Sequence, residues 1–271
     1  MPEIELNGLN LHYEWHGPEG APVLALLNGV LMSTTSWAYQ TPVLSKHYRV
    51  LLHDCRGQGK SDHPKTPYSM MQHAEDVIAL FDALGVEKAH VAGISYGGEI
   101  AQLLGIHWPD RVRSLFLSST VSEVRPLLRG IIEGWIAAAE REDGELLYRC
   151  SVTDNFSEPW LAAHPRWGAL SIPRYEKLDF DAVINLCRAF LAIDWTADLG
   201  QIDAPTMVVV GELDTLKPLE PYARLLSEQI PDADLLVLGN AGHACCIETP
   251  RAWNAALLGF IAQLDQNSSE T

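Results

Sequence analysis

The sequence has little positive charge. Among its 271 residues, 19 lysines and arginines stand against 35 acidic residues, which gives a formal net charge of −16 at pH 7. Nucleic acids and anionic membranes attract basic surfaces, so we predict neither as a partner. The sequence also lacks an apolar run near the roughly 20 residues that cross a bilayer, and residues 1–6 lack the features of a signal peptide. We therefore expect a cytoplasmic protein with small, neutral or weakly charged substrates.

Patterns for metal, nucleotide and disulfide sites are also missing. The cysteines are odd in number and lack the spacing of a disulfide scaffold or a zinc site, which favours reduced thiols. They are Cys55, Cys150, Cys187, Cys245 and Cys246. Gly59-Lys60-Ser61 resembles the end of a phosphate-binding loop, but that loop needs glycine where Asp54 stands and a helix directly afterwards. We predict no metal and no cofactor, and the sequence does not determine an oligomeric state.

Apolar runs alternate with amphipathic stretches along most of the chain. The runs predict strands at 9–15 (an edge strand), 22–27, 48–54, 90–94, 112–117, 204–211 and 233–238. The amphipathic stretches predict helices at 71–84, 99–108, 221–229 and 250–263, and the polar end predicts disorder over 266–271. Strands that alternate with helices predict an α/β fold, with a mostly parallel sheet covered by helices on both faces.

The pattern changes between residues 121 and 195. Helical periodicity there alternates with proline and aromatic residues, and no strand pattern is present. This predicts a helical cap over 121–195, inserted into a core made of residues 1–120 and 196–271. Trp135 and Trp160 are candidate substrate-binding residues in that cap. The alternative is core packing, which is the commoner role of aromatic residues at helical spacing.

Ser95 is the candidate nucleophile. It lies in Gly93-Ile94-Ser95-Tyr96-Gly97-Gly98, between an apolar strand and a predicted helix. A serine hydroxyl needs a backbone that exposes its oxygen and a base that takes its proton. A sharp strand-to-helix turn supplies the first, and small residues two places to either side let it close. The alternative is a glycine-rich turn that contains a serine by chance.

The acid and the base are predicted at two further strand ends. Ligands bind at the carboxyl ends of parallel strands, where Asp214 and His243 are expected together with Ser95. His243 would accept the serine proton, and Asp214 would hold the other ring nitrogen. The competing carboxylates lie at the cap hinge instead of a strand end: Asp194, Asp198 and Asp203. The backbone N–H groups of Val30 and Tyr96 are the predicted oxyanion hole.

With these residues in view, the chain resembles the α/β-hydrolase superfamily over most of its length. The resemblance rests on the Asn28-Gly29 loop up to Trp37, 54–62, 93–98, 211–214 and Gly242-His243. Its layout is similar to compact carboxylesterases, 3-oxoadipate enol-lactonases and cofactor-free haloperoxidases. Most relatives carry histidine where this chain has Asn28. The loop that contains Asn28 is similar instead to that of 3-hydroxyacyl transferases, which makes Asn28 a candidate substrate-binding residue.

The leading hypothesis is a carboxylic-ester hydrolase that forms an acyl-Ser95 intermediate on a small to medium, largely apolar ester or lactone. A second hypothesis, carried by the Asn28 loop, is a 3-hydroxyacyl transferase or thioesterase that uses the same triad. A third is a small-ligand perception protein that retains the triad without turnover. Product analysis separates the first two, and tight binding without turnover identifies the third.

Overall fold

The computed structural model describes residues 3–6 and 8–269. Its strands form one sheet in the order β1-β2-β4-β3-β5-β6-β7-β8. Their bounds are β1 (Glu3–Leu6), β2 (Leu9–His16), β3 (Val23–Leu27), β4 (Arg49–His53), β5 (Ala89–Ile94), β6 (Val112–Ser118), β7 (Thr206–Gly211) and β8 (Ala233–Leu238). Strands β3 to β8 pair in parallel, whereas β1 and β2 add an antiparallel edge. The predicted, mostly parallel α/β sheet is confirmed.

Helices connect the strands. Their bounds are α1 (Thr41–Leu44), α2 (Met70–Ala83), α3 (Tyr96–His107), α4 (Pro126–Ala139), α5 (Gly144–Asn155), α6 (Glu158–Ala163), α7 (Trp167–Tyr175), α8 (Phe180–Leu191), α9 (Arg224–Gln229), α10 (Cys245–Glu248) and α11 (Pro250–Ser269). Helices α4 to α8 lie between β6 and β7 without a strand among them; we call them the five-helix segment. Within the described residues, no helix is both long and apolar enough to cross a membrane.

The sheet separates two apolar layers, because alternate side chains of a strand point to opposite faces. On β3, Ala25 and Leu27 pack with α2, α3 and the five-helix segment. The intervening Leu24 and Leu26 pack with α1, α10 and α11 on the other face. Burial on both faces explains why the central strands read as continuous apolar runs.

Two predictions about the elements were wrong, and a third was confirmed. The edge strand is β1, so the strand predicted at 9–15 lies second in the sheet; β1 has four residues that alternate between acidic and apolar, too short a pattern to predict a strand without its pairing to β2. The helix predicted at 221–229 is present: residues 221–223 form one wider helical turn that runs into α9, and the non-helical dihedral angles lie before it, at Glu220. Helix α11 continues to Ser269, so 266–269 are helical, and 270–271 lie outside the described residues.

Candidate active site

Ser95 lies at the tight turn between β5 and α3. Its φ of 52° and ψ of −119° fall outside the regions that side-chain-bearing residues prefer. A Cβ atom on Gly93 would lie 2.2 Å from the Gly97 carbonyl oxygen, and one on Gly97 would lie 2.1 Å from the Leu27 carbonyl oxygen. The strand, the turn and the helix therefore pack more closely than any side chain at these two glycines permits. The structure forms the sharp turn that the motif predicts.

Asp214 and His243 are joined by a hydrogen bond. His243 Nδ1 lies 3.0 Å from Asp214 Oδ2, and both side chains are buried. The other oxygen, Oδ1, accepts the backbone N–H groups of Leu216 at 3.0 Å and Lys217 at 2.8 Å. Burial raises the pKa of the Asp214 carboxyl, but the charge and hydrogen bond of His243 and the Lys217 N–H outweigh it and hold the pKa below its ordinary value. Asp214 is thus an anion positioned to orient the imidazole.

Ser95 and His243 border the same cavity, which has a volume of about 420 Å³. Among the described residues, the side-chain hydrogen bond of the Ser95 hydroxyl is made with Lys217 Nζ, at 3.1 Å, and none joins it to His243. Catalytic hydrogen bonds are often formed only once substrate is bound. The structure therefore brings the three predicted residues to one site and forms one of the two bonds that link a triad.

The predicted oxyanion donors also lie beside Ser95. Val30 and Tyr96 border a second, smaller cavity of about 10 Å³ together with Ser95. In the part of the chain that the structure describes, neither backbone N–H has a hydrogen-bond acceptor. Tyr96 is the first residue of α3, where unpaired N–H groups and the helix dipole favour negative charge. Both N–H groups are therefore available to a ligand oxygen.

Two of the three predicted substrate contacts lie elsewhere. Trp135 lines the large cavity. Trp160 does not: its ring stacks on Phe156 at 4.6 Å and on His164 at 3.9 Å between ring centroids, which places it in a small aromatic cluster of the five-helix segment. Trp160 is half-buried and lies outside both apolar layers of the described residues, so it is neither a cavity residue nor a core residue.

Asn28 is fully buried, and its amide is bonded within the protein. Its Nδ2 donates to the His53 carbonyl oxygen at 2.9 Å, and its Oδ1 accepts the Trp37 Nε1–H at 2.7 Å. Both ends of the amide are thus occupied, so the substrate-binding prediction for Asn28 is corrected. Its side chain ties the end of β3 to the end of β4 and to the buried Trp37.

The loop that carries His243 is attached to the five-helix segment. The N–H of Ala244 donates to the Asn155 carbonyl oxygen at 2.8 Å. One turn further on, Glu248 accepts both the backbone N–H and the hydroxyl of Ser157. The corner between α5 and α6 therefore holds the backbone of the residue before α10 and the side chain of the last residue of α10.

Comparisons with known proteins fit this geometry. A family model for the alpha/beta hydrolase fold matches residues 22–149. A protein of Azorhizobium caulinodans named carbamate hydrolase RutD is 32% identical over 98% of this chain and 100% of its own length. The chain belongs to the α/β-hydrolase superfamily.

Other members of the superfamily match along nearly the whole chain. The 3-oxoadipate enol-lactonase 1 of Acinetobacter baylyi is 27% identical over 95% of this chain and 95% of its own length. The crystal structure of the enol-lactonase of Burkholderia xenovorans superposes with a TM-score of 0.90 at 28% identity, covering 96% of this chain and 100% of the other. The resemblance to α/β hydrolases drawn from the motifs is confirmed, and these names support hydrolase activity.

This α/β hydrolase has one site residue that the sequence reasoning missed. Lys217 is 2% exposed, and its ammonium lies 2.8 Å from Glu99 Oε1 as well as beside Ser95. A signal was present, because Glu99 is an isolated charge in a helix whose other residues from 96 to 106 are uncharged and buried. A fully buried carboxylate is costly unless a cation is paired with it, so Glu99 indicates a cationic partner.

Proposed function

We propose that this α/β hydrolase is a serine hydrolase that cleaves carboxylic esters, including lactones, with Ser95 as nucleophile, His243 as base and Asp214 as the orienting acid. The observation that carries the proposal is the buried His243–Asp214 hydrogen bond beside the strained Ser95 turn, at one cavity. Each of the three groups has the chemistry that its role requires.

In the proposed mechanism, His243 Nε2 takes the Ser95 proton while the serine oxygen attacks the ester carbonyl carbon. The negative charge that forms on the carbonyl oxygen is stabilised by the N–H groups of Val30 and Tyr96. The protonated imidazole, held by Asp214, then gives its proton to the leaving alcohol. A water molecule, activated by the same imidazole, releases the acid from the acyl-serine. In a lactone the leaving alcohol stays attached to the acid, so ring opening gives a single hydroxy acid.

The cavity supports a small to medium, largely apolar substrate. Its volume of about 420 Å³ lies at the lower end of the range for small-molecule sites. Apolar side chains from the Asn28 loop, the five-helix segment and the His243 loop line it: Leu31, Met32, Trp135, Phe156, Leu178 and Ile247. The enol-lactonase relatives add support for a lactone among the substrates.

We further propose that residues 121–195 act as a cap on a core of residues 1–120 and 196–271. The cap contributes one wall of the cavity, including Trp135, and excludes bulk water from the reacting carbonyl. An acyl transferase has less support, because that hypothesis came from Asn28, whose amide is occupied within the protein. Hydrolysis therefore takes precedence over transfer.

Carbamate hydrolysis is a second candidate. It is favoured by the full-length, 32% identical relative named as a carbamate hydrolase. A carbamate carbonyl is attacked in the same way and yields a tetrahedral intermediate that needs the same donors. The two candidates differ in the leaving group and in the electron density of the carbonyl, so they are separable by assay.

The test is a panel of p-nitrophenyl esters, enol and saturated lactones, acyl thioesters and aryl carbamates, run with the wild-type protein and with Ser95→Ala. We expect turnover of esters and lactones with a burst of alcohol release, and at least a roughly 10³-fold loss of kcat in Ser95→Ala. His243→Gln and Asp214→Asn should lose activity as well. Undiminished turnover in Ser95→Ala refutes the proposal. Preference for carbamates selects the second candidate, and tight ligand binding without turnover selects a perception protein.

A further inference from the structure

We propose that Lys217 is a fourth catalytic residue: its ammonium, held by Glu99, donates a hydrogen bond to the Ser95 oxygen and stabilises the negative charge that develops there during attack. This inference rests on the proposed serine hydrolase function. It assigns a role to a buried charge pair that a Ser-His-Asp triad does not require.

The Lys217 ammonium is buried among three neighbouring groups. Lys217 Nζ lies 2.8 Å from Glu99 Oε1 and 3.1 Å from Ser95 Oγ, and it lies 4.5 Å from the ring centroid of Phe190. Side-chain exposure is 2% for Lys217 and 0% for Glu99, so bulk water does not compete for these bonds. One donor direction is therefore aimed at the carboxylate, one at the nucleophile and one at an aromatic face.

The direction of the Lys217–Ser95 bond has a chemical consequence. An ammonium group only donates hydrogen bonds, so the serine oxygen is the acceptor. The serine hydrogen is then not used by Lys217, and it is free to point toward another acceptor. His243 borders the same cavity as Ser95 and has the chemistry that the proposed mechanism requires of that acceptor. Lys217 thus leaves the serine proton available to the imidazole.

Glu99 fixes the ammonium in place. Besides Lys217 Nζ, its Oε1 accepts the Thr120 hydroxyl at 2.6 Å and the Val121 N–H at 3.0 Å. The backbone N–H of Lys217 in turn donates to Asp214 Oδ1 at 2.8 Å. One short loop therefore positions both the acid that orients the imidazole and the ammonium that contacts the nucleophile.

The step balances without a proton leaving Lys217. As the bond from Ser95 Oγ to the carbonyl carbon forms, the hydroxyl proton passes to His243 Nε2, and partial negative charge develops on Oγ before the bond is complete. The ammonium stabilises that charge through its hydrogen bond. When water releases the acyl group, the C–Oγ bond breaks, and Oγ recovers its proton from His243 while Lys217 again donates to it.

This role requires the charged form of Lys217, which makes the alkaline side of the pH profile informative. Among the described residues, the titratable groups around Lys217 are Glu99 and Tyr96 on α3, Asp214 on its own loop and Cys187 on α8, and His243 borders the larger cavity together with Ser95. Burial raises the pKa of Cys187 to about 12 and that of Tyr96 well above its ordinary value, so neither ionises near neutral pH.

Burial lowers the pKa of the Lys217 ammonium below its ordinary value, although Glu99 and Asp214 oppose the change. The reaction of Ser95 should therefore slow as the pH rises and Lys217 loses its proton. Removal of the Glu99 charge takes away an interaction that supports the ammonium, so it should move this loss to lower pH.

The experiment measures the second-order rate constant for labelling of Ser95 by a fluorophosphonate between about pH 6 and about pH 11.5, a range that extends about one unit above the ordinary lysine pKa of about 10.4. The variants are Lys217→Met, Glu99→Gln and the double variant that carries both changes, with Lys88→Met as an exposed control and Ser95→Ala as the blank. We expect Lys217→Met and the double variant to label about 10²-fold more slowly than wild type and to lack the alkaline decline. Glu99→Gln should keep the decline but show it at lower pH, and Lys88→Met should match wild type.

The double variant separates catalysis from folding, because it removes both members of the buried pair and leaves no unpaired charge. If it folds and labels within about threefold of wild type, Lys217 is only structural and the inference is wrong. If neither Lys217→Met nor the double variant folds, the pH profile of wild-type labelling is the test. A wild-type labelling rate that shows no decline at alkaline pH also overturns the inference. Retained activity in His243→Gln would instead indicate that Lys217, and not His243, takes the proton of Ser95. Labelling of Ser95→Ala contradicts the proposed function itself, independently of Lys217.

Discussion

Replacement of Gly97 by alanine tests how closely α3 approaches the sheet. The Cβ that Gly97→Ala introduces would lie 2.1 Å from the Leu27 carbonyl oxygen and 2.8 Å from that of Asn28. Real Cβ atoms essentially never come closer than 3.0 Å to such an atom. The start of α3 and the end of β3 must therefore separate by about 0.9 Å (3.0 − 2.1), and both contacts involve backbone that no rotamer change can move.

The expected cost follows from that displacement. Overpacking of a tight interior costs about 1–3 kcal/mol, and a clash with buried backbone belongs at the upper end, so Gly97→Ala should lower the free energy of unfolding by about 3 kcal/mol. The same movement shifts the Tyr96 N–H relative to the Val30 N–H. A misplacement near 1 Å at a reacting centre costs on the order of 10²-fold in rate, so kcat should fall by about that factor.

Urea denaturation and ester kinetics measure the two effects. The matched control is Gly259→Ala in α11, where a Cβ would meet nothing within 4 Å. The same chemical change there should raise the free energy of unfolding by about 0.4–1 kcal/mol and leave kcat unaltered. Equal stability and equal kcat in Gly97→Ala and wild type would show that β3 and α3 are not in the close contact described.

Two further changes test buried polar groups. Burial lowers the pKa of His53 to about 4 and that of His73 to about 3, from 6.5. Below about pH 6.5 each of these imidazoles binds a proton in the unfolded chain but not in the folded chain. The free energy of unfolding should therefore be highest above pH 6.5 and should fall as the pH drops toward 4, by about 1.4 kcal/mol per pH unit for each imidazole. Urea denaturation from about pH 7 to about pH 4.5 measures this, and His53→Gln should reduce the slope; an identical slope contradicts the assignment. Asn28→Ala leaves the Trp37 indole N–H without its acceptor and should cost about 1–3 kcal/mol, yet preserve the kcat/KM ratio between short and long acyl esters. A changed kcat/KM ratio would indicate that Asn28 contacts the substrate.

Much of the fold was predictable because its signals are local. The central strands are apolar runs, and the apolar residues of α2 recur with a helical period. The turn at Ser95 is predicted by six consecutive residues, from Gly93 to Gly98. In a parallel sheet, strand ends converge, so Asp214 and His243 could be assigned to one site by topology alone. Their hydrogen bond is the outcome of that reasoning.

The remaining features depend on contacts between distant segments. Lys217 is 122 residues from Ser95 and looks like an ordinary surface residue until Glu99 is placed beside it. Asn28 reads as a site residue because of its position in a loop, and only the positions of Trp37 and His53 reveal that its amide is occupied. Periodicity describes one element at a time, whereas these roles arise where separate elements meet.

The bonds between the α5–α6 corner and the histidine loop constrain how new specificity could be engineered. A chimaera that exchanges residues 126–191 for the corresponding helices of another enzyme would remove the Ser157 hydroxyl that Glu248 accepts and would keep the Ala244 bond only if a backbone carbonyl occupied the position of the Asn155 carbonyl. Such a graft needs equivalent groups at those two positions. Without them, the exchange would release the loop that carries His243 from the contacts that hold it beside the cavity.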